Sequence, residues 1–350
     1  MSALTLVVIM LVGVVTAIVA VLTTVAVSSY TQVRRLRQEP SFGDVRATVI
    51  AAVSGDDVHA GVALGRLNQL SERYVVRVML DLAPSVSGAS RAALVSLADQ
   101  IGLLGRAQRG VRSRRWSTRL YSARVLTALG VESEDLYRLL IDRAPEVRAQ
   151  AAVWCVMTPT QVAIERLIGL LDDPDGQVRF TAQDSLVRIG LPASDALVSA
   201  LASVEGPEAA RLLRVAVALG DERLYPRAVE LTRDPSSETR VLAVSVLART
   251  GDPGAGPTLV SMLDDPSDDV VLAAAAGLGK LAYWPAAAEV EDLLDRPSWA
   301  LRNQAGSTLL ELGAPGAILL RASAAGTGPG AQMCIRSLQL KSLSSELEAS

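Results

Sequence analysis

The stretch Asp172–Gly190, DDPDGQVRFTAQDSLVRIG, is the unit from which this chain is built. Asp172 and Asp173 close one helix and lead into a tight turn. Asp175 is placed to cap the next helix, where a carboxylate accepts from free backbone N–H groups. Val178, Ala182, Leu186 and Ile189 then fall on one helical stripe. Gly190 follows as a left-handed stop. The same stop position recurs at Gly130, Pro159, Gly190, Gly220, Gly251, Ala282 and Gly313, in steps of 29, 31, 30, 31, 31 and 31 residues. Eight residues before it stands a small side chain: Ser122, Ala151, Ala182, Ala243, Ala274 or Ala305, with Leu212 as the exception. Four before it stands Leu126, Leu186, Leu247, Leu278 or Leu309, and Cys155 holds the same place in its copy.

A period near 31 residues with two helices per period predicts an all-α fold, an α-solenoid of stacked helix pairs. The described stripe belongs to the second helix of each pair. The first helix is shorter, as in 164–171, 258–263 and 287–294. The turn Asp-x-Pro with an Arg a few residues on recurs as Asp173-Pro174…Arg179, Asp234-Pro235…Arg240 and Asp295-x-Pro297…Arg302. This pattern resembles HEAT repeats, in particular the short HEAT-like repeats of phycobilisome lyases, over roughly residues 100–350. The resemblance implies a hydrogen-bonded Asp/Arg ladder between repeats, carried here by Asp173/Arg179, Asp234/Arg240 and Asp295/Arg302. The copy at Asp265 has Val271 where Arg is expected, so the ladder should break there.

Ahead of the repeats, residues 42–101 keep the period poorly. Helices are predicted over 43–53, 58–69, 72–82 and 89–101, forming an N-terminal helical cap to a solenoid at 102–350. Further upstream, Leu4–Val27 is 24 residues without a charge. As a helix it would reach roughly 36 Å, enough for a hydrocarbon core of about 30 Å. A cleaved signal peptide needs a basic n-region, and only Met1–Ala3 precede the run. Residues 1–30 therefore read as a retained transmembrane anchor. Residues 31–41 form a basic juxtamembrane linker, in which Arg34, Arg35 and Arg37 predict a cytoplasmic flank. The expected location is the cell inner membrane, single-pass, with the soluble part in the cytoplasm. Basic residues are nearly all Arg, which points to a GC-rich bacterial genome.

Charge is unevenly placed along the chain. Residues 31–130 hold 15 Arg against 7 Asp/Glu, and residues 131–350 hold 19 Arg/Lys against 30 Asp/Glu, so +8 and −11 give the net −3. The basic excess peaks at Arg106, Arg109, Arg112, Arg114, Arg115, Arg119 and Arg124, with no carboxylate between Ile101 and Val131. Three readings stand: a solvated helix face, contact with an anionic leaflet, or a site for nucleic acid or an acidic protein. The overall acidity and the anchor argue against nucleic acid, and none is expected as a partner. Arg106, Arg109, Arg112 and Arg115 are the candidate lipid or partner contacts. Trp116 and Trp299 share one repeat position, which favours packing for both.

Catalytic constellations are missing. A single histidine, His59, leaves no multi-histidine metal site and no Ser-His or Cys-His relay. Cys155 and Cys334 stand in no ligand spacing and read as buried thiols. No Gly-rich phosphate loop occurs. The pairs Asp172/Asp173 and Asp264/Asp265 fall where turn caps belong. No enzyme activity, cofactor or metal is expected. The remaining function is a membrane-anchored protein-interaction scaffold. Proteins resembling this layout stand beside membrane glycosyltransferases, which hints at polysaccharide export. The alternative is a lyase or chaperone-like factor for another protein's cofactor, by analogy to bilin lyases alone.

Overall fold

The computed structural model describes residues 42–54, 61, 64–70 and 72–348. The predicted anchor and linker, and His59, lie outside the described residues. Among the described residues there is no strand, and no helix is long and apolar enough to cross a membrane. The described residues form two compact units, divided after Ser133.

The first unit holds α1 (Phe42–Ser54), α2 (Glu72–Leu82), α3 (Gly88–Gln100), α4 (Leu103–Gly110) and α5 (Trp116–Leu129). Three of the four helices predicted before residue 101 are thus present within a residue of their expected ends. Of the fourth, 58–69, residues 61 and 64–67 are helical. Helix α2 is rich in Val, a poor helix former. Its Val75, Val76, Val78 and Met79 are nevertheless buried, and packing outweighs propensity there. Helices α4 and α5 form the first helix pair. They lie so close that a Cβ on Gly110 would stand 2.1 Å from Ser122 Oγ. This pair packs back on α2 and α3, so the compact units divide after Ser133 rather than at the 101/102 boundary drawn from the sequence.

The second unit is a HEAT-like stack of helix pairs. The first helices are α6 (Glu134–Leu139), α8 (Gln161–Leu170), α10 (Ser194–Leu201), α12 (Tyr225–Leu231), α14 (Gly256–Ser261) and α16 (Ala287–Asp292). Their partners are α7 (Pro145–Cys155), α9 (Gly176–Ile189), α11 (Gly206–Leu219), α13 (Ser237–Thr250), α15 (Asp268–Lys280) and α17 (Trp299–Glu311). A last pair, α18 (Ala314–Ala324) and α19 (Pro329–Glu348), closes the series. Short 3-10 turns extend several of the first helices at one end or the other.

The repeat positions do what their chemistry dictates. Ala151, Ala182, Ala243, Ala274 and Ala305 are fully buried, as are Leu247, Leu278 and Leu309. Each such leucine contributes roughly 2 kcal/mol by leaving water. Asp175 caps α9, accepting from the backbone N–H of Gln177 at 2.9 Å and of Val178 at 3.1 Å. The stops Gly130, Gly190, Gly220, Gly251 and Gly313 all have φ between 64° and 78°. Ala282 takes the same role at φ 48° and is the one non-glycine residue with positive φ among the described residues. Pro159 departs from the pattern. Its ring holds φ near −65° and bars the left-handed state, and α7 has already ended at Cys155.

Candidate interaction surfaces

The described residues contain no group of three His, Cys, Asp or Glu able to hold a metal ion. Both cysteines are buried. Burial pushes the Cys155 thiol up to about 12, so it stays protonated at neutral pH. The acidic pairs at the turns are engaged in structure: Asp173 and Asp265 each hold an arginine, and Asp172 bridges Arg211 at 3.0 Å.

The basic stretch of the first unit spreads over α4 and the start of α5. Arg106 and Arg109 are exposed on α4, Arg112 lies in the turn, and Arg115 stands just before α5 without capping it, all open to solvent. Arg109, Arg114, Arg115 and Arg124 have no carboxylate partner among the described residues. Trp116 and Trp299 do share one position, the first residue of α5 and of α17. Both are half exposed, at 49% and 55%, so the packing expected for them is corrected: the first residue of these helices points outward, while the third in α17, Leu301, is buried. Arg336 lies over the Trp299 ring, 6.0 Å from its centre.

The ladder residues follow a rule that spacing alone did not reveal. In every copy that carries the Arg, its Nη1 donates to two carbonyls of its own turn. Arg119 bonds Ser113 and Arg114, Arg148 bonds Asp142 and Arg143, and Arg179 bonds Asp173 and Pro174. Arg240 bonds Asp234 and Pro235, and Arg302 bonds Arg296 and Pro297. This Nη1 clamp stays within one repeat. The rung between repeats is made by Nε and Nη2, which reach an aspartate 25 residues ahead. Arg148 grips Asp173 with both bonds at 2.7 Å, and Arg240 grips Asp265 at 2.8 and 2.9 Å.

Three corrections follow. Asp173 pairs its carboxylate with Arg148 of the preceding repeat, not with Arg179. Asp265 keeps its rung, because the Arg it needs is Arg240; the missing Arg at Val271 removes the next rung instead. Asp295 stands one residue out of register, since the turn position that Arg302 clamps is Arg296. The rung of Arg302 would lie 25 residues ahead, at Thr327, and its Nε is buried without a partner among the described residues. Arg148 escaped notice because its turn, Asp142-Arg143-Ala144-Pro145, sets the proline two residues late. The six-residue step from Asp142 to Arg148 was the available signal.

Two carboxyls record these rungs. Arg240's hydrogen bonds hold Asp265 below the usual carboxylate range. For Asp173, burial pushes upward, but the Arg148 bonds and the Asp175 N–H together win and hold it low.

The third turn of the second unit's stack is built differently. Position 204 is Val and position 210 is Ala, so neither half of a rung is present. The 202–206 loop is tied forward instead. Arg227 donates to the carbonyls of Leu201 at 3.0 Å and Val204 at 2.9 Å. Asp234 accepts the Gly206 N–H at 2.7 Å, and Thr239 Oγ1 donates to the Gly206 carbonyl at 2.9 Å. Backward, toward α9, the loop makes no such bond. Helices α9 and α11 are the most loosely packed neighbouring pair of second helices in this unit. Leu212 occupies the position that is alanine in the copies on either side and holds the helices apart. A cavity of about 280 Å³ opens between these two repeats, lined by Ile168, Leu171 and Asp172 from α8 and its turn, Ala200 from α10, and Glu208, Arg211 and Leu212 from α11.

Comparison with known proteins agrees with this architecture. The family model for HEAT repeats matches residues 195–279, which begins at α10, just past the seam. No curated protein sequence matches the chain. Among solved structures, the karyopherin Kap121p bound to the extreme C-terminus of the protein phosphatase Cdc14p is 13% identical, with a TM-score of 0.52 over 85% of this chain and 42% of that one. Kap121p bound to the SUMO protease Ulp1p is similar at 13% identity and a TM-score of 0.51, over 85% of this chain and 41% of that one. The CpcE–CpcF phycocyanin lyase complex from Nostoc is 21% identical over 67% of this chain and 91% of that one, with a TM-score of 0.32. The chain spans about two fifths of the karyopherins' length, and likenesses at these identities show the fold: an all-α, HEAT-like solenoid.

Proposed function

We propose that this chain is a non-catalytic, protein-binding scaffold held at the inner membrane by residues 1–30, with its repeats in the cytoplasm. The observation that carries the reading is the basic surface of α4 and α5. Arg109, Arg114, Arg115 and Arg124 stand exposed and without carboxylates, a short way along the chain from the uncharged Leu4–Val27 run. Basic groups near an anionic leaflet contribute on the order of 1 kcal/mol each. Arg106, Arg109, Arg112 and Arg115 are the residues assigned to that contact. The repeats of the second unit are left to bind protein, the use to which the solved karyopherins of like fold put theirs in complexes with Cdc14p and Ulp1p. A membrane enzyme such as a polysaccharide glycosyltransferase is the partner this reading favours.

Three measurements test it. A reporter fused after Ser350 should be active in the cytoplasm, and carbonate should leave the protein in the membrane fraction. The chain from Phe42 onward should float with vesicles containing anionic lipid at low salt and release above about 0.15 M, where screening acts over roughly 8 Å. Replacing Arg106, Arg109, Arg112 and Arg115 together by Gln should abolish flotation without lowering the melting temperature. Extraction by carbonate sinks the anchor. Indifference of the wild-type fragment to anionic vesicles sinks the lipid contact.

A further inference from the structure

Arg179 is a rung without its other half. Its Nη1 clamps the carbonyls of Asp173 at 2.7 Å and Pro174 at 3.0 Å, as in every other repeat that has this arginine. That clamp sets the orientation of the guanidinium. In the two complete rungs the same orientation aims Nε and Nη2 at an aspartate 25 residues ahead. From Arg179 that step lands on Val204, which has no carboxylate to offer. The loop carrying Val204 is drawn the other way by Arg227, Asp234 and Thr239. Arg179 is exposed and forms no ion pair.

We propose that the Arg179 fork is a carboxylate-binding site for a protein partner, which completes the ladder from outside. The chemistry of the occupant can be read from the complete rungs. Asp173 and Asp265 are both the third residue of Leu-Asp-Asp-Pro, the sequence at 171–174 and again at 263–266, and it occurs nowhere else in the chain. The ligand class is therefore an aspartate presented by an apolar-acidic turn of this kind. A bidentate arginine–carboxylate pair supplies both direction and strength. The surroundings suit the rest of such a turn. Phe180, the next residue, is 71% exposed on the same helix end. The cavity between the same two repeats has Ile168, Leu171 and Leu212 in its wall for an apolar side chain, beside the charged Asp172, Glu208 and Arg211. A free small anion would use the fork alone and leave these surfaces idle.

The test uses the full chain in non-ionic detergent and fluorescein-labelled Leu-Asp-Asp-Pro-Ser amide, followed by anisotropy. The control peptide is Leu-Asp-Asn-Pro-Ser amide, equal in shape and lacking the one carboxylate. Wild type should bind the aspartate peptide about tenfold more tightly than the control. Arg179→Gln and Arg179→Lys should both lose that preference, because neither has a fork. Val204→Asp fills the fork from within and should exclude the peptide while raising the melting temperature. Equal binding of the two peptides, no binding at millimolar concentration, or an undiminished preference in the Arg179 variants overturns the proposal. Should one variant fail to fold, the wild-type peptide comparison and the other Arg179 variant still decide.

Discussion

The seam between α13 and α15 and the seam between α9 and α11 are built from the same repeat, yet they differ in every layer of construction. At the first, Ala243 and Ala274 are both fully buried, and Gly277 lies so close to α13 that an added Cβ would stand 2.9 Å from Ala248. Arg240 then fastens the turn by its two bonds to Asp265. At the second, Leu212 replaces the alanine, Arg179 finds no aspartate, and a cavity remains. What crosses it is the Asp172–Arg211 pair, whose carboxylate is 76% exposed and whose contribution is correspondingly small. A solenoid is stable through its nearest-neighbour interfaces, so the stack should open first at its loosest seam.

The sharpest way to break this comparison is to truncate a core residue on each side. Leu247→Ala should cost roughly 2–5 kcal/mol, the range for buried leucines. Leu212→Ala should cost well under half as much, because α9 and α11 can close onto the vacated space. Chemical denaturation followed by circular dichroism measures both, and equal losses would mean the seams are equivalent.

Next in size are the arginines. Arg240→Met strands the Asp265 carboxylate in a site where it is 6% exposed, and should cost about 3 kcal/mol. Arg179→Met forfeits bonds to two turn carbonyls and strands no charge, so about 1 kcal/mol is expected. A ratio near one in thermal melts would erase the distinction between a full rung and an empty one.

Acid titration sharpens the same point. Asp173 and Asp265 are held below their ordinary value in the folded chain, so the unfolded chain binds protons first. Stability from these rungs is whole above the unfolded carboxylate pKa, near 4, and drains away as pH falls through the lower folded values. The melting temperature should therefore drop as pH falls below about 4. Asp173→Asn with Asp265→Asn should shrink that slope. Some will remain, since the bonds from Arg223 also hold Asp221 low. An unchanged slope would show that the rungs do not titrate.

The smallest effect concerns a stop. Ala282 sits at φ 48°, where a Cβ costs about 1 kcal/mol. Ala282→Gly should raise stability by up to that amount in the same melts, bringing this repeat to parity with its glycine-terminated neighbours. A loss would mean that the alanine methyl packs usefully.

Much of this was legible in the sequence, and the reason is local. Gly130, Gly190, Gly220, Gly251, Gly313 and even Ala282 could be assigned as stops because each of these helix ends needs one residue at positive φ, although Gly190 and Gly313, with ψ of −143° and −140°, do not take the left-handed helical state expected of a stop. The buried alanines and leucines were legible because i, i+4 and i+8 share a helix face whatever lies beyond. The exposure of Trp116 and Trp299 was not legible. A shared repeat position fixes the turn on which a side chain sits, not whether anything covers it.

By itself, then, the amino-acid sequence determined the period, the helix ends and the inward face of each second helix, since these depend on backbone geometry within a few residues. Only the tertiary structure decided which aspartate meets which arginine. A rung joins residues in different repeats, and its existence depends on both turns at once. One residue of offset puts Arg296 where Asp295 was expected, and one Val204 leaves Arg179 empty. The openness of the α9–α11 seam was likewise settled in three dimensions, because Leu212, an ordinary core residue in any single helix, becomes a spacer only when the neighbouring helix must pack against it.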